Sequence, residues 1–236
     1  MNPSLFEAVD NYCERIGPEF WSEPLNALTN LAFVAAGIWG LFLVRRHRTG
    51  GFAETLAWWA IAIGIGSGLF HTFANRLTVW FDVLPIAGFV FAYTLFSLRR
   101  YFRFGRGVTL LVFAIFYAVA GWITYMVPQS LVVATNGSTG YLPALLGMAF
   151  FGSWLTARGH PAGKYELAAA AIFVVSVTFR IVDPQVCAAM PIGTHFLWHT
   201  LNGLLLGVLL TAAARYGHPA SGPARSFGRE AVREPA

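Results

Sequence analysis

The sequence predicts an all-α integral membrane protein built as a bundle of seven transmembrane helices. Three observations carry this. Of 236 residues, 56% are hydrophobic and 11% are charged, against about 25% charged in an average soluble domain. Seven apolar runs, each near the ~20 residues a spanning helix needs, nearly exhaust the chain. Lys and Arg gather in alternate connections between those runs. So few charges cannot cover a soluble globule, and the composition also excludes a disordered chain and a coiled coil.

The first run, 24–44, follows a segment holding Glu7, Asp10, Glu14, Glu19 and Glu23. That segment has no basic start and no apolar core, so no cleavable signal is expected, and the first run serves for insertion. The turn Arg45-Arg46-His47-Arg48-Thr49-Gly50-Gly51 separates it from the second run, 54–74. The remaining runs are 79–98, 107–127, 139–157, 165–182 and 192–214, the sixth being the shortest. Each reads as a helix, because in lipid the backbone must satisfy its own hydrogen bonds. Residues 1–215 form one transmembrane domain whose segment 1–23 lies outside. Residues 216–236, rich in Gly, Pro, Ala and Arg, read as a disordered cytoplasmic tail.

Thirteen basic residues fall on one side: Arg45, Arg46, Arg48, Arg99, Arg100, Arg103, Arg106, Arg158, Lys164, Arg215, Arg225, Arg229 and Arg233. Only Arg15, Arg76 and Arg180 fall on the other. The richer side is expected to be cytoplasmic, which puts the N-terminus outside and the C-terminus inside. The net charge of +5 is thereby an orientation signal, and no nucleic-acid partner is expected.

Ionisable residues inside spans are costly and mark function by default. With alternating helix directions, Ser67 and His71 fall in the outer half of the second run. Asp82 falls near the outer end of the third, and His195 and His199 in the outer part of the seventh. Packing roles would scatter such groups; a shared depth gathers them. His195 and His199, four residues apart, share one helix face and can grip one metal ion, with His71 as a third ligand. Zinc takes such nitrogens, and a catalytic site keeps a fourth position open. Ser67 has a second reading, since Gly64, Gly66, Ser67 and Gly68 also suit close helix packing. Asp82 can instead be a buried hydrogen-bonded or interfacial carboxylate.

Cys13 and Cys187 are the two cysteines. Both fall on the outer side, where an oxidising compartment permits a bridge; two free thiols are the other reading. The acidic N-terminal segment is a solvated loop or an oxygen-rich cation site of the kind that suits calcium, though no EF-hand spacing is present.

These motifs together resemble the alkaline ceramidase family of seven-helix membrane amidases, over most of the chain. The anchors are Cys13-Glu14, Glu19-Phe20-Trp21 and Asn26; then Gly66-Ser67-Gly68-Leu69-Phe70-His71 with Asp82 eleven residues on; then Asp183 through Cys187; then His195-Phe196-Leu197-Trp198-His199. The resemblance implies zinc held by His71, His195 and His199, Asp82 acting on the zinc-bound water, and Ser67 assisting at the substrate carbonyl. It implies a Cys13–Cys187 disulfide. It also implies a calcium site in the acidic segment, but here the family's Asp-Trp-Cys-Glu-x-Asn run reads Asn11-Tyr12-Cys13-Glu14-Arg15-Ile16. Asp10, Glu14 and Glu19 are left as the calcium candidates.

The expected activity is zinc-dependent intramembrane hydrolysis of the N-acyl bond of ceramide or a related N-acyl lipid, giving a sphingoid base or amine and a fatty acid. A heptahelical zinc-containing receptor without turnover is the alternative. A retinal-type photoprotein needs an intrahelical lysine, and the single lysine, Lys164, falls at a cytoplasmic end. A transporter wants charges at the midplane, whereas here they lie toward one side. One Lys against 15 Arg, with abundant Ala and Gly, suggests a GC-rich bacterial genome, hence a bacterial inner membrane with the site facing outward.

Overall fold

The computed structural model describes residues 4–219. Most of the tail expected over 216–236 therefore lies outside the described residues. Among them are seven helical segments long and apolar enough to cross a membrane, and the protein is a multi-pass membrane protein. The first crossing is interrupted: α1 covers Pro24–Thr29 and α2 covers Leu31–His47. At the break, the Asn30 side chain donates to the Asn26 carbonyl at 2.8 Å, and Thr29 Oγ1 donates to the Leu25 and Asn26 carbonyls. Such side-chain bonds compete with the helix ladder.

Next come α3 (Gly51–Phe73), α4 (Arg76–Arg100) and α5 (Arg106–Tyr125). Asn75 starts α4 through a capping box with Thr78. A short α6 (Gln129–Ala134) and a 3-10 turn (Ser138–Tyr141) lead into α7 (Leu142–Ala157), then α8 (Ala162–Val186) and α9 (His195–Tyr216). The sixth run extends further than its hydropathy predicts: α8 continues through Asp183 and Pro184. Hydropathy stops at Asp183 because it is a carboxylate. The helix does not stop there, because that carboxylate is buried and fully bonded.

The spans close a ring in the order α2, α3, α4, α5, α7, α8, α9 and back to α2. The tightest packing joins α9 to α2 and α8, and α3 to α2 and α4. Small residues line these seams, with Ala57, Ala60, Ala212 and Ala213 fully buried, which lets helices approach closely. By contrast α5 turns Leu110, Leu111, Ile115 and Trp122 outward, as suits a lipid-facing helix.

The N-terminal segment lies across one end of this ring. Val9 N–H donates to the Ala74 carbonyl, Arg76 N–H to the Glu7 carbonyl and Trp21 N–H to the Thr72 carbonyl. A disulfide joins Cys13 to Cys187, tying this strap to the α8–α9 connection. The opposite end carries Arg45, Arg46, Arg48, Arg99, Arg100, Arg103, Arg106, Arg158, Lys164 and Arg215, given the helix bounds; Arg225, Arg229 and Arg233 lie outside the described residues.

Candidate active site

Under the strap, α3 and α9 bring three histidines together. His71 sits in the last turn of α3, His195 is the first residue of α9, and His199 follows one turn later. Each offers a nitrogen within 4.8 Å of the others, and all three are buried. The start of α9 is fixed by Asp183 of α8. Its Oδ1 accepts the Thr194 amide at 2.6 Å and the His195 amide at 2.9 Å, while its Oδ2 accepts the Cys13 amide at 3.0 Å. Gly193, at φ +63, makes the turn into that clamp. A Cβ there would overlap Asp183 Oδ1, so only glycine fits both the dihedral and the space.

In His71 and His199 one ring nitrogen is anchored outside the cluster. His71 Nδ1 pairs with Glu23 Oε2 at 2.6 Å. A carboxylate can only accept, so Nδ1 carries the proton and Nε2 is left free. Nε2 is buried with no hydrogen-bond partner. His199 Nδ1 lies 3.0 Å from Thr29 Oγ1. The Thr29 hydroxyl hydrogen is committed to main-chain carbonyls of α1, so it accepts from His199 Nδ1 and again leaves Nε2 available. His195 is covered by Tyr12, stacked at 3.6 Å between ring centroids, and its Nδ1 is buried without a partner. Three convergent imidazoles, with buried unpartnered nitrogens on His71 and His195, fit a divalent metal of zinc's preferences, with an outer carboxylate on His71 and a hydroxyl on His199.

Ser67 lies one turn before His71 on α3 and is buried. Asp82 is half-buried in the second turn of α4, the helix that packs against α3. One close contact brings the two helices together here. Pro85 has no N–H to offer Phe81, four residues earlier, and the Phe81 carbonyl lies against Gly66, where a Cβ would overlap it. Gly66 and Phe81 are the neighbours of Ser67 and Asp82, so the packing and the chemical readings of this glycine-rich stretch hold together.

Of the five residues that the sequence places at one depth, the three histidines converge, while Ser67 and Asp82 lie on the adjoining helices α3 and α4. The calcium candidates do not meet. Glu14 spends both carboxylate oxygens on the amides of Leu25 and Asn26, at 2.6 and 2.8 Å, at the start of α1. Asp10 and Glu19 are exposed. Among the described residues, the histidine set is the only group of three His, Cys, Asp or Glu placed to share a metal ion.

Sequence reasoning missed Glu23, Thr29, Tyr12 and Arg15, and saw Asp183 only as part of a motif. Glu23 is buried against both His71 and Arg15. Burial alone would push its carboxyl up, but the hydrogen bond from His71, and then the hydrogen bond and charge of Arg15, hold it below its ordinary value. Nothing in its spacing singles it out from the other acids of the segment. Beside the histidines opens a largely apolar cavity between α4, α7 and α9. Its wall includes Phe33, whose ring lies 6.2 Å from that of His199, and Trp198 of the turn between the two α9 histidines. Along α4 it runs from Ile86 to Ser97, about 16 Å at 1.5 Å per residue.

A comparison with curated proteins finds no match. The family model that matches, over residues 7–223, is described as Ceramidase.

Proposed function

We propose, for a chain that belongs to the ceramidase family of amidohydrolases acting on N-acyl amide bonds, a zinc-dependent cleavage of ceramide or a related N-acyl lipid within the membrane. The observation that carries it is the cluster of His71, His195 and His199, with nitrogens within 4.8 Å of one another and Ser67 and Asp82 beside it.

His71, His195 and His199 would hold the ion. Zinc, when bound, supplies a Lewis acid that polarises the amide and makes water nucleophilic near neutral pH. The Asp82 carboxylate accepts a proton from the water as its oxygen attacks the amide carbon. It returns that proton to the nitrogen as the C–N bond breaks, so the amine leaves neutral. The Ser67 hydroxyl donates to the carbonyl oxygen while that oxygen carries negative charge. The acyl chain lies in the apolar cavity beside Phe33 and Trp198, which orients the amide toward Asp82 and excludes bulk water. Products are a free fatty acid and a sphingoid base or other amine.

The receptor alternative calls for a sealed metal with four protein ligands. Three ligands, leaving a fourth position for water, favour the enzyme. The arginine-rich end of the bundle lies opposite the histidines, so the positive-inside rule turns the site outward. The disulfide at the histidine end agrees with an oxidising compartment. The GC-rich character of the sequence points to a bacterial inner membrane.

The test is elemental mass spectrometry of detergent-purified wild type beside His199→Ala, run with hydrolysis of a panel of N-acyl lipids. About one zinc per wild-type chain, none in the variant, and amine release by wild type alone are expected. A wild type that cleaves without bound metal overturns the zinc assignment.

A further inference from the structure

Arg15 is the buried cation of the N-terminal strap, and the function assigned so far makes no use of it. It is 5% exposed, at the same end of the bundle as the histidines. Its Nε donates to Glu23 Oε1 at 2.5 Å. Nη1 donates to the carbonyls of Gly17 at 2.9 Å and Glu19 at 3.4 Å, and Nη2 to the carbonyl of His71 at 3.2 Å. Four oxygens from two stretches of chain, the 15–23 loop and α3, therefore converge on one guanidinium. The loop from 15 to 23 closes around it, with an ion pair joining the loop's two ends.

His71 is held from both sides by this group. Glu23 turns its second oxygen to His71 Nδ1, and Arg15 takes the main-chain carbonyl of the same histidine. A buried Glu23 without Arg15 would lose the partner that holds its Oε1 and be free to turn away from the imidazole. The planar fork matters as well as the charge, because Nε, Nη1 and Nη2 serve different partners at fixed angles.

The same geometry answers the calcium question. The segment holds five acidic residues between 7 and 23, but its convergent oxygens already surround a cation of the chain's own. A divalent ion among them would sit against the guanidinium at like-charge contact. Glu14 is committed to amides, and Asp10 and Glu19 face solvent.

We infer that Arg15 is a positioning residue for the metal site: its guanidinium stands where the acidic strap would otherwise need a metal cation, fixes Glu23 against His71, and makes the protein independent of calcium. The positioning role rests on the zinc reading above; the calcium independence does not.

The experiment compares wild type, Arg15→Met, Arg15→Lys and His199→Ala, each purified in detergent and checked for an intact disulfide. Zinc and calcium are counted in the same samples after dialysis against millimolar calcium. Zinc affinity is then measured by chelator competition, and the visible spectrum is recorded with cobalt(II) replacing zinc. Wild type is expected to carry zinc and no calcium. Arg15→Met should bind zinc about 10–100-fold more weakly, the usual effect of losing an outer-shell partner, with shifted cobalt bands. Arg15→Lys, which keeps the charge and loses the fork, should fall between. Leu56→Ala, a core change away from the site, should leave the cobalt bands in place.

Stoichiometric calcium in wild type overturns the substitution of guanidinium for a metal cation. Wild-type zinc affinity and cobalt bands in Arg15→Met overturn the positioning role while leaving the zinc reading intact. If Arg15→Met does not fold, Arg15→Lys alone decides, and unchanged affinity and bands there overturn it. A wild type that binds neither zinc nor cobalt, and so matches His199→Ala, overturns the zinc reading and the positioning role together.

Discussion

The carboxylate of Asp183 on α8 accepts the main-chain amide of His195, the first residue of α9, at 2.9 Å. The other amides it holds belong to Thr194 and to Cys13, so one buried side chain joins the strap, α8 and the two-histidine helix. Asp183→Ala leaves those amides buried and unpaired, at about 1–3 kcal/mol for each group that water cannot reach. Asp183→Asn keeps one acceptor and turns an NH2 toward a donor. Both variants should lose zinc and melt earlier, alanine more so. Thermal unfolding in detergent and metal content check this; wild-type melting of Asp183→Ala would remove the clamp from the account.

Asp82 and Ser67 should separate from the histidines in their effects. Asp82→Asn is expected to retain zinc and lose hydrolysis, since an amide cannot shuttle the proton. Ser67→Ala should retain zinc and lose about 10²–10³ in kcat, the usual effect of one missing oxyanion donor. Near-normal turnover in Asp82→Asn would refute its role as base.

At Gly193 the backbone stands at φ +63 with Asp183 and Cys13 on its side-chain face. Gly193→Ala combines a dihedral cost of about 1 kcal/mol with displacement of the Asp183 clamp. It should cost more stability than Gly105→Ala, where a Cβ meets open space. Equal melting of the two variants would show that the turn is not tightly held.

Free-thiol labelling of unreduced protein should find neither Cys13 nor Cys187. Replacing both by serine should cost about 2–4 kcal/mol and weaken zinc binding, because the bridge flanks the clamp.

Orientation can be read with reporter thiols at two exposed glycines with open space around them, Gly105 at the arginine end and Gly140 at the histidine end. On intact cells a membrane-impermeant maleimide should label Gly140→Cys and spare Gly105→Cys. The reverse pattern would turn the site to the cytoplasm.

Much of the candidate site was legible because its residues obey local periodicities. His195 and His199 are one turn apart, Ser67 and His71 likewise, and alternating spans carry all of them and Asp82 to one depth. The seven crossings were legible because lipid leaves the backbone no other choice. What escaped depends on contacts between distant segments. Glu23 looks like its acidic neighbours until its partners are seen. Charge counting read Arg15 and Arg180 as orientation markers. Arg15 is instead enclosed within the strap, and Arg180 reaches the Asn136 carbonyl and the Ser138 hydroxyl at 2.7 and 2.6 Å. The sixth run was cut short at Asp183 because hydropathy prices a carboxylate as exposed, whereas this one is fully paired.

Closure of the ring between α9 and α2 orders the events of biosynthesis. Two of the three histidines, and the last wall of the bundle, emerge with the final span, after every other crossing has been made. That span settles between α8 and α2, beneath the strap that is synthesised first and bridged to Cys187. A nascent chain halted before residue 195 carries His71 alone and lacks the histidine cluster. The last crossing therefore has to be made before the three histidines can meet.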